Sequence, residues 1–432
     1  MRELADRDPA VARLVAVRAG EGSAVTATLQ TAVRDILDPR GFIDYRRSFD
    51  VAREAENLLD EMERHLDLGA ADAVRPVLLE AVTELRELAG TADDSAGVIG
   101  SAGQRAAELH ARSCREGTPD GMELARWLVS FRESSPGWPH TPLEDYVAAF
   151  DEKALAEYAA GVERMRGRCR DDDFERMRID DMLVELADHR GDVDTAVDLL
   201  SRGTHPRFGA IIERLRAAGR GDEVLTWMDR AADAGKVSGR LAGQGRDYWL
   251  DPVDVAAERL KAGRVDDALD VLRAQFREAP GEPTFTTLVE FADVVGRRDT
   301  EREWALATAR AGSNSYAQGA ALVEIALAED DLPAAWQATA TYGAGYRWRD
   351  LAAASADAMP RESADLYRPW LEDQLRYTDT RKYGPIADTL VVMRDLYVRA
   401  GGEADFAEYV ADIRARFGRR PSLMKELARR SL

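Results

Sequence analysis

The residues best suited to proton transfer or metal ligation are His65, His110, His140, His189 and His205, which lie far apart in the chain. None stands in an H-E-x-x-H or H-x-H arrangement, so no helix face presents two imidazoles to one metal ion. Cys114 and Cys169 are the only cysteines, with no C-x-x-C pair and no histidine at zinc-ligand spacing. Asp171, Asp172 and Asp173, followed by Asp180 and Asp181, lack the glycine and the bidentate glutamate of a calcium loop. They read as the acidic start of a helix, where carboxylates face the amide end of the dipole. Gly97, Gly100 and Gly103 have no strand before them and so make no dinucleotide fingerprint. They read as a turn-shaping loop, with Ser101 a candidate helix cap. Gly235-Lys236 runs into Val237 instead of a serine or threonine, which excludes a phosphate loop. No catalytic residue, metal ligand or cofactor is expected from these patterns.

Recognition chemistry is better represented. Tyr248 and Trp249 lie in the longest insertion between repeats, and Tyr342, Tyr346, Arg347, Trp348 and Arg349 lie in a glycine-interrupted segment. Tyrosine, tryptophan and arginine dominate binding interfaces, and they also pack between helical hairpins. Both readings stand for these seven residues. The final segment is locally basic: Arg414, Arg416, Arg419, Arg420, Lys425, Arg429 and Arg430 stand against Asp412 and Glu426. Such cations suit the carbonyl end of a helix or intramolecular docking, and are the one patch where a polyanion could bind. The chain as a whole carries a formal charge of -20, which repels nucleic acid and favours a protein or peptide partner of basic or mixed charge.

The elements that must position these residues are helical. Hydrophobic residues make up 45% of the chain and charged ones 32%, enough for a packed interior. Ala, Leu, Arg, Glu and Asp dominate most stretches, and β-branched runs are scarce. The segment beginning at Gly191, GDVDTAVDLL, recurs from Gly263 as GRVDDALDVL with six of ten positions identical. Weaker echoes start at Gly219, Gly296 and Asp330. The starts 191, 219, 263, 296 and 330 are 28, 44, 33 and 34 residues apart, and the last two intervals fit the tetratricopeptide period. Val193, Ala196, Val197 and Leu200, like Val265, Ala268, Leu269 and Leu272, fall at i, i+3, i+4 and i+7, one apolar stripe of a helix. A glycine ahead of each stripe permits a left-handed turn after the preceding helix. The expected fold is all-α, an α-solenoid of antiparallel helix pairs built from degenerate tetratricopeptide-like repeats. The SSPGWPHTP break ending at Pro142 divides an N-terminal helical region, 1–142, from a repeat region, 143–432, with a basic end.

Several stretches resemble the helical part of bacterial SWIM-type zinc-finger proteins. They are ESADLYRPWLE from Glu362, RKYGPIAD from Arg381, FAEYVADIRARF from Phe406 and RRPSLMKEL from Arg419, with RGFIDYRR from Arg40 and DDSAGVIG from Asp93 as earlier landmarks. The C-x-C and C-x-H elements of the finger are absent, so the resemblance carries over no zinc ligand. It implies a helical body without its finger and, more distantly, an association with nucleic acid. Three functions therefore stay open: a non-catalytic scaffold binding a protein or peptide, a nucleic-acid-associated accessory protein acting through the basic tail, and an enzyme with an inter-helix pocket. The charged opening MRELADRDPAVARL and the lack of 18 consecutive apolar residues point to a cytoplasmic protein with no membrane partner.

Overall fold

A computed structural model describes residues 22–37, 41–135, 137–169, 173–314 and 319–432. The expected opening at residues 1–14, Asp171 and Asp172 lie outside the described residues. Among those described every regular element is a helix, and β-type pairing is confined to the isolated bridges Ile43–Ala92 and Val237–Leu250. The chain is the expected all-α array of degenerate helix pairs. It divides into two compact units, one ending at Arg220 and the other running from Gly221 to Leu432.

The first unit opens with α1 (Gly22–Leu37), α2 (Tyr45–Asp67), α3 (Ala71–Thr91) and α4 (Val98–Glu116), which share one core. Asp44 starts α2 by accepting from the backbone amides of Arg46 and Arg47, each at 3.0 Å. Val51, Ala55, Leu58, Leu59, Met62 and Leu66 then place a buried stripe against α3 and α4. Helices α5 (Gly121–Ser134), α6 (Leu143–Tyr146), α7 (Glu152–Arg168), α8 (Asp173–His189), α9 (Val193–Leu200) and α10 (Phe208–Ala217) complete the unit. The boundary expected at Pro142 lies inside this unit. The Leu143 amide donates to Glu185 of α8 at 2.9 Å, and Glu185 also takes a bidentate pair from Arg132 of α5. A break in helical periodicity is thus a turn within one body, because polar contacts bridge it.

The glycine run and the aspartate cluster each depart in part from the expected arrangement. Of the three spaced glycines only Gly97 lies in a turn, at φ +69°, while Gly100 and Gly103 belong to α4. The helix is capped by Asp94, whose carboxylate accepts from the amides of Ile99 at 3.0 Å and Gly100 at 2.7 Å. Ser101 is no cap, since its hydroxyl donates back to the Gly97 carbonyl. Gly103 instead leaves room for a neighbour: a Cβ there would stand 2.5 Å from the Trp138 ring. The acidic helix start holds at Asp173, the first residue of α8, but not for the later aspartates. Asp180 and Asp181 sit well inside α8, where Asp181 pairs with Arg207 and burial raises the Asp180 pKa.

The repeat starts share one backbone device. Gly191, Gly219, Gly263 and Gly296 have φ between 67° and 74°, and Asp330 has φ 56°. At each, the following amide reaches five residues back: Asp192 to the Ala187 carbonyl, Arg220 to Leu215, Arg264 to Arg259, Arg297 to Ala292 and Asp331 to Ala326. This is the Schellman end of a helix, which satisfies terminal carbonyls before the chain reverses. Gly69, Gly235 and Gly401 use it too. Asp330 is exposed and holds the left-handed conformation with a Cβ. Asp330→Gly is therefore expected to stabilise the protein by about 1 kcal/mol, seen as a rise in Tm of about 2–4 °C. An unchanged or lower Tm would show the strain to be relieved elsewhere.

The second unit begins with α11 (Gly221–Asp233), α12 (Gly239–Ala242) and the hairpin of α13 (Pro252–Lys261) and α14 (Val265–Glu278). Ala256 and Ala268 are fully buried in this hairpin, where small side chains let the backbones approach. Two more pairs stack after it, α15 (Glu282–Val294) with α16 (Arg298–Gly312) and α17 (Ala320–Ala328) with α18 (Leu332–Tyr342), around a shared core. The unit closes with α19 (Trp348–Ser355), α20 (Pro360–Asp365), α21 (Arg368–Arg376), α22 (Tyr383–Arg399), α23 (Glu403–Phe417) and α24 (Pro421–Arg429), with Leu371, Ile386, Leu390, Met393, Ile413, Leu423 and Leu427 in a second core. None of the described helices is long and apolar enough to cross a membrane.

Candidate functional site

Groups that could do chemistry converge at one buried point. His110 Nδ1 lies 3.3 Å from the Tyr146 hydroxyl, Cys114 Sγ lies 3.8 Å from His110 Nε2, and the Trp127 ring meets the imidazole edge-on at 4.7 Å. Burial pushes the His110 imidazole down to about 3, the Cys114 thiol up to about 11 and the Tyr146 phenol well above its usual range. Near neutral pH the cluster carries neither a thiolate nor an imidazolium. It lacks the charged nucleophile of a cysteine–histidine pair and serves as packing between α4, α5 and α6. Of the other histidines, His65 is buried, whereas His140, His189 and His205 are exposed. No group of three metal-ligating side chains occurs among the described residues.

The predicted aromatic segment splits into a half-buried and an exposed part. Helix α18 ends at Gly343, whose φ of +83° turns the chain, and the Gly319 amide donates to its carbonyl at 2.8 Å. A short 3-10 turn, Gly345–Arg347, then leads into α19. Arg347 fixes this turn by pairing with Glu324 at 2.5 Å and Asp350 at 3.0 Å. Tyr342 and Trp348 lie against the core of the helix pairs. Tyr346 is 68% exposed, and Arg349 is exposed with its guanidinium 4.9 Å from each of the Trp348 and Trp370 rings. Tyr367 closes the group edge-on to Trp348 at 5.1 Å. The result is a ledge in which a cation sits between two indoles beside an outward tyrosine. Its hydrogen-bonding groups and flat rings suit a peptide side chain or backbone.

Tyr248 and Trp249 are half-buried in their own loop. Lys236 stands 4.4 Å from the Trp249 ring, and the Val237–Leu250 bridge closes the base. Sequence reasoning missed Tyr367 and Trp370 as members of the ledge. Their aromatic character was visible, but α20 and α21 must fold back before they reach Trp348.

Three of the seven tail cations are ion-paired within the unit, and two more donate to backbone carbonyls. Arg416 pairs with Glu372 at 2.6 Å and with Asp412, and Arg430 pairs with Asp388 and Glu426, each at 2.6 Å. Arg429 pairs with Glu426, Arg414 donates to the Leu432 carbonyl, and Arg420 donates to the carbonyls of Leu375 and Tyr377 at the end of α21. Five of the seven predicted cations thus make intramolecular contacts, and Arg419 and Lys425 are exposed and make no ion pair among the described residues.

No protein-family model matches the chain, and no curated protein matches it. Among solved structures it is similar to one described as a circular tandem repeat protein with novel repeat topology and enhanced subunit contact surfaces. That likeness has 14% identity over 97% of this chain and 88% of the other, with a TM-score of 0.20.

Proposed function

We propose that the protein is a non-catalytic helical-repeat scaffold that binds a protein or peptide segment of basic or mixed charge in the cytoplasm. The observation that carries this reading is the ledge of Tyr346, Trp348, Arg349 and Trp370, held in place by the Arg347 ion pairs yet presented outward. A formal charge of -20 favours basic segments around it. The neutral state of the His110 cluster weighs against the enzymatic alternative. The engagement of most tail arginines weighs against a nucleic-acid role, which would rest on Arg419 and Lys425. We also propose that the chain shares the lineage of the helical body of SWIM-type zinc-finger proteins. The quoted motifs supply Tyr367, Trp370, Tyr383, Phe406 and Tyr409 to one hydrophobic cluster, as lineage-defining packing residues would.

Affinity capture at moderate salt tests the functional reading, with and without nuclease. A specific partner is expected to survive nuclease treatment. Tyr346→Ala combined with Arg349→Ala is expected to cost about 2 kcal/mol or more of its binding, roughly thirtyfold in Kd. Neither side chain is buried, so the variant should melt like the parent. Equal capture by the two chains would move the interface off the ledge, and loss on nuclease treatment would favour the tail.

A further inference from the structure

We propose that a cleft in the first unit binds a carboxylate carried next to an apolar group. The cleft encloses about 250 Å³ between the end of α5, the loop before α6, and helix α8. Three guanidiniums meet there in different states. Arg132 is held by Glu185, with Nη2 donating at 2.8 Å, and Arg207 is held by Asp181. Arg178 has no carboxylate partner among the described residues. Its Nη1 donates to the carbonyls of Ser135 and Arg132 at the end of α5, and its Nε is buried without a partner among the described residues. Arg214, also on the rim, is turned to Asp188 in a bidentate pair.

A second polar group independently points to a ligand at this place. Thr141 lines the cleft, is only 3% exposed, and its Oγ1 has no hydrogen-bond partner among the described residues. A buried hydroxyl and a buried guanidinium N–H left unsatisfied each cost free energy, and a bound anionic oxygen would recover both. Met182, Val184 and Pro139 supply a buried apolar wall to the same cavity. Two donors beside an apolar wall suit a planar carboxylate with an aliphatic neighbour; phosphate would need more donors. The volume suits a small organic acid or the last residue of a peptide. Arg178 supplies the balancing charge, Thr141 the second hydrogen bond, and the fixed Arg132–Glu185 pair a rigid wall.

Calorimetric titration of the full chain with N-acetyl-leucine, isovalerate and N-acetyl-leucinamide tests this. Both acids should bind, and the amide should bind at least about tenfold more weakly than N-acetyl-leucine, the loss expected when a charge-assisted bond goes. N-acetyl-leucine binding more tightly than isovalerate assigns the site to a peptide C-terminus; the reverse order assigns it to a small acid. Arg178→Gln should weaken acid binding by about tenfold or more. Because Arg178 also caps α5, Thr141→Val serves as a second variant of nearly the same shape, with the same direction of effect. The proposal is overturned if neither acid binds at about 10 mM, if acid and amide bind alike, if inorganic phosphate binds in place of the acids, or if Thr141→Val leaves acid affinity unchanged.

Discussion

Arg273→Leu is expected to destabilise the second unit by about 3–5 kcal/mol, because it strands a carboxylate that has no access to water. Glu301 lies on α16 with its side chain 0% exposed, and Arg273 of α14 meets it in a bidentate pair at 2.7 and 2.5 Å. Arg273 itself is 25% exposed and is further tied to Asp270 at 2.8 Å. The two partners are therefore unequal. Removing the arginine leaves a buried charge, whereas Glu301→Leu leaves an arginine that keeps Asp270 and some solvent. The second variant should cost about 1–2 kcal/mol, and the double variant should lie within about 1 kcal/mol of the parent, since an apolar pair can replace a buried ion pair. Urea unfolding of the four chains closes the cycle, read as Cm shifts at constant m. A cost below about 1 kcal/mol for Arg273→Leu would mean that Glu301 finds another partner.

A contrast between local and long-range information explains what was legible in the sequence. The helix ends at Gly191, Gly219, Gly263, Gly296 and Asp330 were readable because a left-handed residue is a local requirement that glycine meets at least cost. The apolar stripes were readable for a similar reason, since their spacing is fixed by the helix. What was lost depends on contacts between residues remote in sequence. Trp138 sits in a segment rich in proline and serine that reads as a linker, yet its ring seats on Gly103 of α4. Arg416 and Arg430 look like part of a basic patch until Glu372 and Asp388 arrive from more than forty residues upstream. Trp370 joins Arg349 and Trp348 only after α19 and α20 reverse the chain. The cleft around Arg178 and Thr141 had no sequence signal, because its walls come from four separated segments.

Acidification supplies the other large effect, and it has a location. His110 is 1% exposed, and burial together with the positive charge of Arg75 holds its pKa at about 3, against 6.5 for the free side chain. The unfolded chain therefore takes up a proton at this residue as pH falls through 6.5, while the folded chain does not until about 3. Its contribution is fully present above pH 6.5 and is lost between the two values. Each unit of that interval removes about 1.4 kcal/mol, so moving from neutral pH to about 4.5 should cost roughly 2–3 kcal/mol through His110 alone. Carboxylates with lowered pKa, such as Asp72 and Asp229, add their losses at lower pH, where the unfolded chain protonates them while the folded chain still holds them charged. His110→Phe separates the two sources. A phenyl ring keeps the contacts with Trp127 and Tyr146 but cannot bind a proton. Urea stability at about pH 7.5 and 4.5 should thus differ less in the variant than in the parent, by roughly 2–3 kcal/mol. Equal pH dependence in the two chains would mean that the pocket opens to water before the imidazole protonates, giving His110 a folded-state pKa close to its free value.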